Sequence, residues 1–244
     1  MTSRLLLLLL LLTTFLLHAS AQQALPTFLP KEKFTLDFSE RRQNQIKRRD
    51  LLLTKKPLTR QEQQELNALL EKNDETIESV WDVIGRECSW YCGGGNYAVK
   101  ASSFLPGTNN SDYGAKSAND LSYQTAWAEG KKDEGIGEYL EYLFENKSPR
   151  ITQIIISNGY VKSAAAWKNN NRVKKLKLYI NGKPYGILQL DDTRSDQVFE
   201  VGTLGRNKNG KDLVLRFEIA AVYKGDKYND TAITEIYFDG IDVH

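Results

Sequence analysis

The chain has 244 residues, with 33 Lys and Arg against 31 Asp and Glu, a formal net charge of +2. This near balance removes any bulk electrostatic reason to expect nucleic acid as a partner. The length allows one domain of ordinary size plus an appendage, and no segment after the first residues is apolar over the roughly 20 positions that a membrane-crossing helix needs.

The N-terminus reads as a targeting segment. Arg4 precedes an unbroken leucine run, Leu5–Leu12, which Thr13–Leu17 extends, and Ala19-Ser20-Ala21 follows. A short basic region, an apolar stretch too short to span a bilayer and an A-x-A site describe a signal peptide, residues 1–21. Cleavage after Ala21 leaves residues 22–244, expected to be soluble and secreted or periplasmic.

Residues 22–84 are expected to form a helical segment. Pro57 divides it, because the proline ring cannot sit inside a helix. Before it, Ile46, Leu51, Leu52 and Leu53 form a weak apolar face. After it, Leu66, Leu69, Leu70, Ile77, Val80, Trp81 and Ile84 recur at three- and four-residue spacings, the helical period. Thr59 with Glu62 three residues on predicts a capping box, and Leu58 is a candidate staple. Residues 31–60 hold ten Lys and Arg against four Asp and Glu, whereas residues 61–80 hold one against six. Two solvated helix faces that attract one another account for this pattern. Helices of this size cannot bury a core alone, so they should pack on the following domain or contact another envelope protein.

Cys88 and Cys92 are the only cysteines. In an exported protein a pair this close is expected to form a disulfide. A zinc site would need further ligands, and His244 is the only histidine after Ala21.

From Tyr97 the period changes to two. The expected strands are Tyr97–Ser102, Glu138–Phe144, Ile151–Ser157, Lys174–Ile180, Tyr185–Leu190, Gln197–Val201, Leu213–Ile219 and Ala232–Phe238. Leu213, Leu215, Phe217 and Ile219 against Val214, Arg216 and Glu218 is a half-buried pattern. Asn181-Gly182 is a strong hairpin signal. Residues 85–244 therefore predict an antiparallel β-sandwich of jelly-roll type.

If each strand reverses its predecessor, the connections alternate between two ends. Glu145–Arg150, Asn181–Lys183 and Gly202–Lys211 fall at one end and carry turn residues. Asn158–Arg172, Asp191–Asp196, Ala220–Thr231 and the segment up to Gly137 fall at the other. That end holds Trp127, Tyr160, Trp167, Tyr223 and Tyr228, with Asp120, Asn158 and Asp230. Sugar rings offer apolar C–H faces and a fringe of hydroxyls, which aromatic rings and polar side chains match. Asp120, Trp127, Asn158, Tyr160, Trp167, Tyr223 and Asp230 are accordingly the expected ligand-binding residues. A structural calcium held by loop carboxylates and carbonyls is compatible with these loops, although no compact D-x-D-x-D-G run marks one.

Enzyme signatures are absent: there is no G-x-S-x-G and no P-loop. Asp120 with Asp230, or Glu138 with Glu235, are conceivable carboxylate pairs for glycoside hydrolysis. Glu138 and Glu235 fall in expected strands and are read instead as partners for buried polar groups. The expected function is non-enzymatic binding of glycan. The alternative is a protein–protein adaptor on the same scaffold, with residues 22–84 as its docking arm.

Five ordered runs carry a family resemblance. They are Asn119-Asp120-Leu121-Ser122-Tyr123-Gln124-Thr125-Ala126-Trp127, Gly135-Ile136-Gly137-Glu138-Tyr139-Leu140, Asn158-Gly159-Tyr160-Val161-Lys162-Ser163, Asn171-Arg172-Val173-Lys174 and Asp230-Thr231-Ala232-Ile233-Thr234-Glu235-Ile236. From about Glu87 to His244 the chain resembles the NAD glycohydrolase-type glycan-binding domain, a galactose-binding-like, discoidin-like jelly roll of exported bacterial proteins. The resemblance implies a sandwich that binds carbohydrate. In the protein that names the family, NADase activity belongs to a separate domain, so that activity is not carried over.

Overall fold

The computed structural model describes residues 24–85, 89–107 and 112–243. The signal segment, Cys88 and His244 lie outside the described residues, and so does the expected Cys88–Cys92 bond.

The strands are β1 (Thr27–Phe28), β2 (Glu32–Thr35), β3 (Ala98–Ala101), β4 (Trp127–Ala128), β5 (Tyr139–Phe144), β6 (Arg150–Asn158), β7 (Asn171–Ile180), β8 (Lys183–Gln189), β9 (Ser195–Leu204), β10 (Leu213–Tyr223) and β11 (Thr231–Ile241). Their hydrogen-bonded order is β2-β9-β6-β11-β7-β10-β5-β3, with β8 on the far side of β7, β1 on β8 and β4 on β11. The link between β11 and β7 is only two residues long, Thr231↔Asn171 and Ala232↔Arg172. The path folds there into two leaves. Phe238 of one leaf meets Phe144, Tyr142 and Phe217 of the other at ring-centroid distances of 5.0, 5.2 and 6.4 Å. The protein is thus mainly β, a jelly-roll sandwich. Most pairings are antiparallel; β1–β8 and β11–β7 are parallel.

The period-two pattern explains which faces are buried. Leu213, Leu215, Phe217 and Ile219 face the core while Val214, Arg216 and Glu218 are partly exposed. β5 alternates in the same way. At the β7–β8 hairpin both Asn181 and Gly182 have positive φ, 48° and 77°, the conformation that a two-residue type I′ turn requires.

The N-terminal segment does more than form helices. β1 extends β8 and β2 extends β9, so the arm covers one edge of each leaf; unpaired edges otherwise invite association. Two helices follow, α1 (Glu40–Thr54) and α2 (Arg60–Leu70). The Thr59–Glu62 capping box is present, and Leu58 packs against the small core of Leu52, Leu66 and Leu69. Arg49 is fully buried; its guanidinium donates to the carbonyls of Asp74 and Ile77 and to the Asp50 carboxylate.

The helical pattern ends earlier than the spacing predicts. α2 stops at Leu70, and residues 71–84 are mostly turns. The Asn73 amide donates to the Leu69 carbonyl, and the Asp74 carboxylate accepts from Thr76 N at 2.8 Å. Such local side-chain bonds compete with the helix ladder. Ile77, Val80, Trp81 and Ile84 therefore do not share a helix face. Instead the turn docks on the sandwich: Trp81 stacks on Phe38 at 4.7 Å, Phe38 meets Tyr123 at 5.3 Å, and Tyr123 N donates to Trp81 O at 2.9 Å.

Candidate functional site

The connections sort by end as strand parity predicts. Tyr228 N donates to Asn169 O (2.8 Å) and Asp226 N to Lys168 O (2.9 Å), joining the β10–β11 loop to the β6–β7 connection. That connection contains the short helix α4 (Ala164–Asn169), preceded in the chain by α3 (Trp90–Gly93). Arg194 Nε donates to Val161 O at 2.8 Å, which brings in the β8–β9 loop. At the opposite end Asn146 N donates to Asp212 Oδ1 (2.9 Å) and Val214 N to Asn181 Oδ1 (2.7 Å).

The expected site residues divide on burial. Trp127 is 0% exposed: β4 pairs with β11, the indole lies in the core, and its Nε1 donates to Ser103 O at 2.9 Å. It cannot stack on a sugar. Burying so large a ring with its N–H satisfied is worth more to the fold than exposing it. Asn158 is also buried: its side-chain amide both donates to and accepts from the Val173 backbone, at 2.8 and 2.9 Å. At 0% exposure it is out of reach of a ligand hydroxyl.

Trp167 is half-buried, with Nε1 on Asn158 O (2.9 Å) and the Arg172 guanidinium 4.5 Å from its ring centroid. Tyr223 fastens the end of β10 by donating its hydroxyl to Leu190 O at 3.0 Å. Asp120 is exposed, but its carboxylate accepts from Ser122 N (3.1 Å) and from Thr125 Oγ1 (2.7 Å). These three residues shape loops and do not face an open cleft together.

Tyr160 and Asp230 do. With Leu105, Tyr113, Asn169 and Tyr228 they line a cleft of about 300 Å³, the lower end of the range for small-molecule sites. Tyr113 and Tyr160 meet edge-to-face at 6.3 Å. Tyr160 donates its hydroxyl to Gln124 O at 3.2 Å, and partial burial raises its pKa. The Tyr228 ring is 44% exposed. Ala128, Ala166 and Ala232 also line the cleft, so the tyrosines stand above short side chains. The Asp230 carboxylate, half-buried, makes no hydrogen bond or ion pair among the described residues, while its backbone carbonyl accepts from Asn171 N at 3.0 Å.

Sequence reasoning placed Tyr228 at this end but did not put it in the site, and it did not find Tyr113. Tyr113 lies in irregular chain before β4, where no periodicity gives a direction to a side chain.

A larger hollow, about 580 Å³, lies on the outer face of β9, β6 and β11. Its aromatic lining is mostly structural: Trp90 and Phe238 are 3% and 2% exposed, Tyr91 OH accepts from Phe238 N, and Tyr237 OH donates to Asp196. Phe34 is its one strongly exposed ring, at 54%; the loop-end cleft differs in gathering three tyrosine rings around a carboxylate.

Glu138 behaves as expected, accepting from the hydroxyls of Ser102 and Ser103. Glu235 does not. It is fully buried and neither carboxylate oxygen is hydrogen-bonded. Burial, and then the nearby charge of Asp120, push its pKa well up; the backbone amides of residues 120–122 lie close enough to offset part of this without reaching hydrogen-bond geometry. Among the described residues no three His, Cys, Asp or Glu side chains gather as a metal cluster. The carboxylates of Asp120 and Glu235 are nonetheless hard oxygen donors of the kind calcium takes. An orphaned buried carboxylate beside a second one fits such an ion.

A family model for the NAD glycohydrolase translocation F5/8 type C domain matches residues 90–239. The chain belongs to that family. Against curated proteins it has no match. Among solved structures it is similar to the CBM32-1 and CBM32-2 domains of Clostridium perfringens ZmpB, at 12% identity and a TM-score of 0.44, over 60% of this chain and 35% of that one. It is also similar to CpGH89CBM32-5 of Clostridium perfringens, solved in complex with GalNAc-β-1,3-galactose, at 16% identity and a TM-score of 0.41, over 58% and 94%. A third is CBM32-3 from a family 31 glycoside hydrolase of Clostridium perfringens, at 14% identity and 0.39, over 59% and 91%. This chain thus spans about a third of the length of the two-domain ZmpB structure. Among the described residues no helix is long and apolar enough to cross a membrane.

Proposed function

We propose that the chain is an exported binding protein that holds carbohydrate, without catalysis, in the cleft between Tyr113, Tyr160 and Tyr228. The observation that carries this reading is the pairing of tyrosine rings with an unpartnered carboxylate, Asp230, in one cleft at the loop end of the sandwich. Tyrosine faces suit the C–H surface of a sugar ring, and Asp230 and Asn169 suit its hydroxyls. The surrounding loops are tied to one another by the hydrogen bonds above, so little ordering remains to oppose binding.

A glycan array followed by titration calorimetry tests this. Weak, saturable binding that Tyr160→Ala and Tyr228→Ala each abolish, with the fold retained, supports it. Absence of binding to every glycan, together with a partner retained by residues 22–84, would favour the adaptor reading, for which the exposed Leu51 on α1 is the structural argument. Export is tested separately by N-terminal sequencing of the released protein, which should begin at Gln22.

A further inference from the structure

We infer that Asp230 acts as a charge filter in this cleft, so that it accepts uncharged or amine-bearing sugars and rejects carboxylated ones. The inference rests on the cleft being the sugar site and names the residue that sets its specificity. Apart from the tyrosine phenols, Asp230 is the one ionisable side chain among the described lining residues. It is held at a fixed place: Asn171 N donates to its carbonyl, and the next residue, Thr231, pairs with Asn171 where the two leaves meet. Among the described residues no cation engages its carboxylate.

The neighbouring charges do not neutralise it. Lys224 is paired with Glu134, and Arg172 with Asp192. Lys227 Nζ lies 5.0 Å from the centroid of the Tyr228 ring, at the rim, and Lys168 is exposed on α4; neither is among the residues that line the cleft. Behind Asp230 the buried Glu129 accepts from Thr231 N and Lys131 N, and Asp133 adds to the acidic side. A sugar carboxylate seated between the tyrosines would meet Asp230 as a like charge in a partly desolvated site, an arrangement that costs affinity and gives specificity by repulsion. A sugar hydroxyl or ammonium in the same place would donate to it.

The test uses matched oligosaccharides that differ only in oxidation at C6, galactose against galacturonate and glucose against glucuronate, with an N-acetylated and a free-amine glucosamine pair. For the wild type, the neutral member of the binding pair should be favoured by about tenfold or more, and Asp230→Asn should bring the two within about threefold. The wild-type preference should shrink at high ionic strength, a readout that needs no variant. Equal or stronger wild-type binding of the carboxylated member, abolished by Tyr160→Ala, overturns the inference and leaves the sugar site standing. If no oligosaccharide binds, the sugar-site reading falls and the inference with it.

Discussion

The guanidinium of Arg172 lies 4.5 Å from the centre of the Trp167 ring, and Asp192 holds its edge through Nε and Nη2 at 2.7 and 3.0 Å. The same group donates to the carbonyls of Asn170 and Lys224. One side chain, only 8% exposed, thus ties together the three connections at the loop end. Gly159 allows this: its φ is +79°, and a Cβ there would come within 2.6 Å of Arg172 Cγ and 2.9 Å of Trp167 Cδ1.

Removing Arg172 should therefore loosen the whole loop end. Arg172→Ala is expected to cost about 3 kcal/mol in urea denaturation, because Asp192 and several carbonyls lose their partner. Arg172→Lys should recover less than half, since an ammonium cannot reproduce the planar fork. A loss below about 0.5 kcal/mol for the alanine variant would show that the clamp is not structural.

Trp127 and Tyr228 should separate stability from binding. Trp127→Ala empties a fully buried site and should cost about 3–5 kcal/mol. Tyr228→Ala should change stability by less than about 0.5 kcal/mol yet remove glycan affinity. Calorimetry and thermal melts on both proteins check this. A Tyr228→Ala protein that binds as well as the wild type would exclude its ring from the site.

Asp196 predicts a pH dependence. It is buried on β9, accepts from Tyr123 Oη at 2.5 Å and Tyr237 Oη at 3.1 Å, and takes a further bond from Ser157. Burial raises its pKa, and the three hydroxyl bonds only partly oppose this. A folded pKa above the unfolded one means that the fold favours the protonated carboxyl. The associated stability is complete below the ordinary Asp range and is lost as pH rises through the raised value. Asp196→Asn should flatten that part of the stability–pH curve. A wild-type curve that instead rises with pH across this interval would contradict the assignment.

Glu235 predicts a response to calcium. Millimolar calcium should raise the melting temperature of the wild type and a chelator should reverse it, because an ion beside Asp120 would turn an unsatisfied carboxylate into a ligand. Glu235→Gln should abolish the response and, in chelator, melt no lower than the wild type, since it replaces a buried acid whose oxygens have no partner by a neutral group of the same shape. Identical melting curves with calcium and with chelator would rule out the site.

Much of this architecture was written in local spacing. Alternation along Leu213–Ile219 and Glu138–Phe144 set the buried faces, Asn181-Gly182 set a hairpin, and Thr59 with Glu62 set a helix start. Each of these signals depends on contacts within a few residues, or on a side-chain period that any core will read the same way. Strand parity also sorted the connections between the two ends, because that follows from counting reversals.

Which rings at that end meet solvent was not local. Trp127 is buried because β4 adds to β11, more than a hundred residues away, and Tyr113 reaches the cleft because it packs on Tyr160. The end of α2 at Leu70 and the pairing of β1 and β2 with the sandwich edges depend likewise on partners distant in sequence. Sequence by itself determined the sandwich and which loops share an end; tertiary packing alone decided which side chains face the cleft, because a side chain's exposure is set by the strands and loops that fold over it.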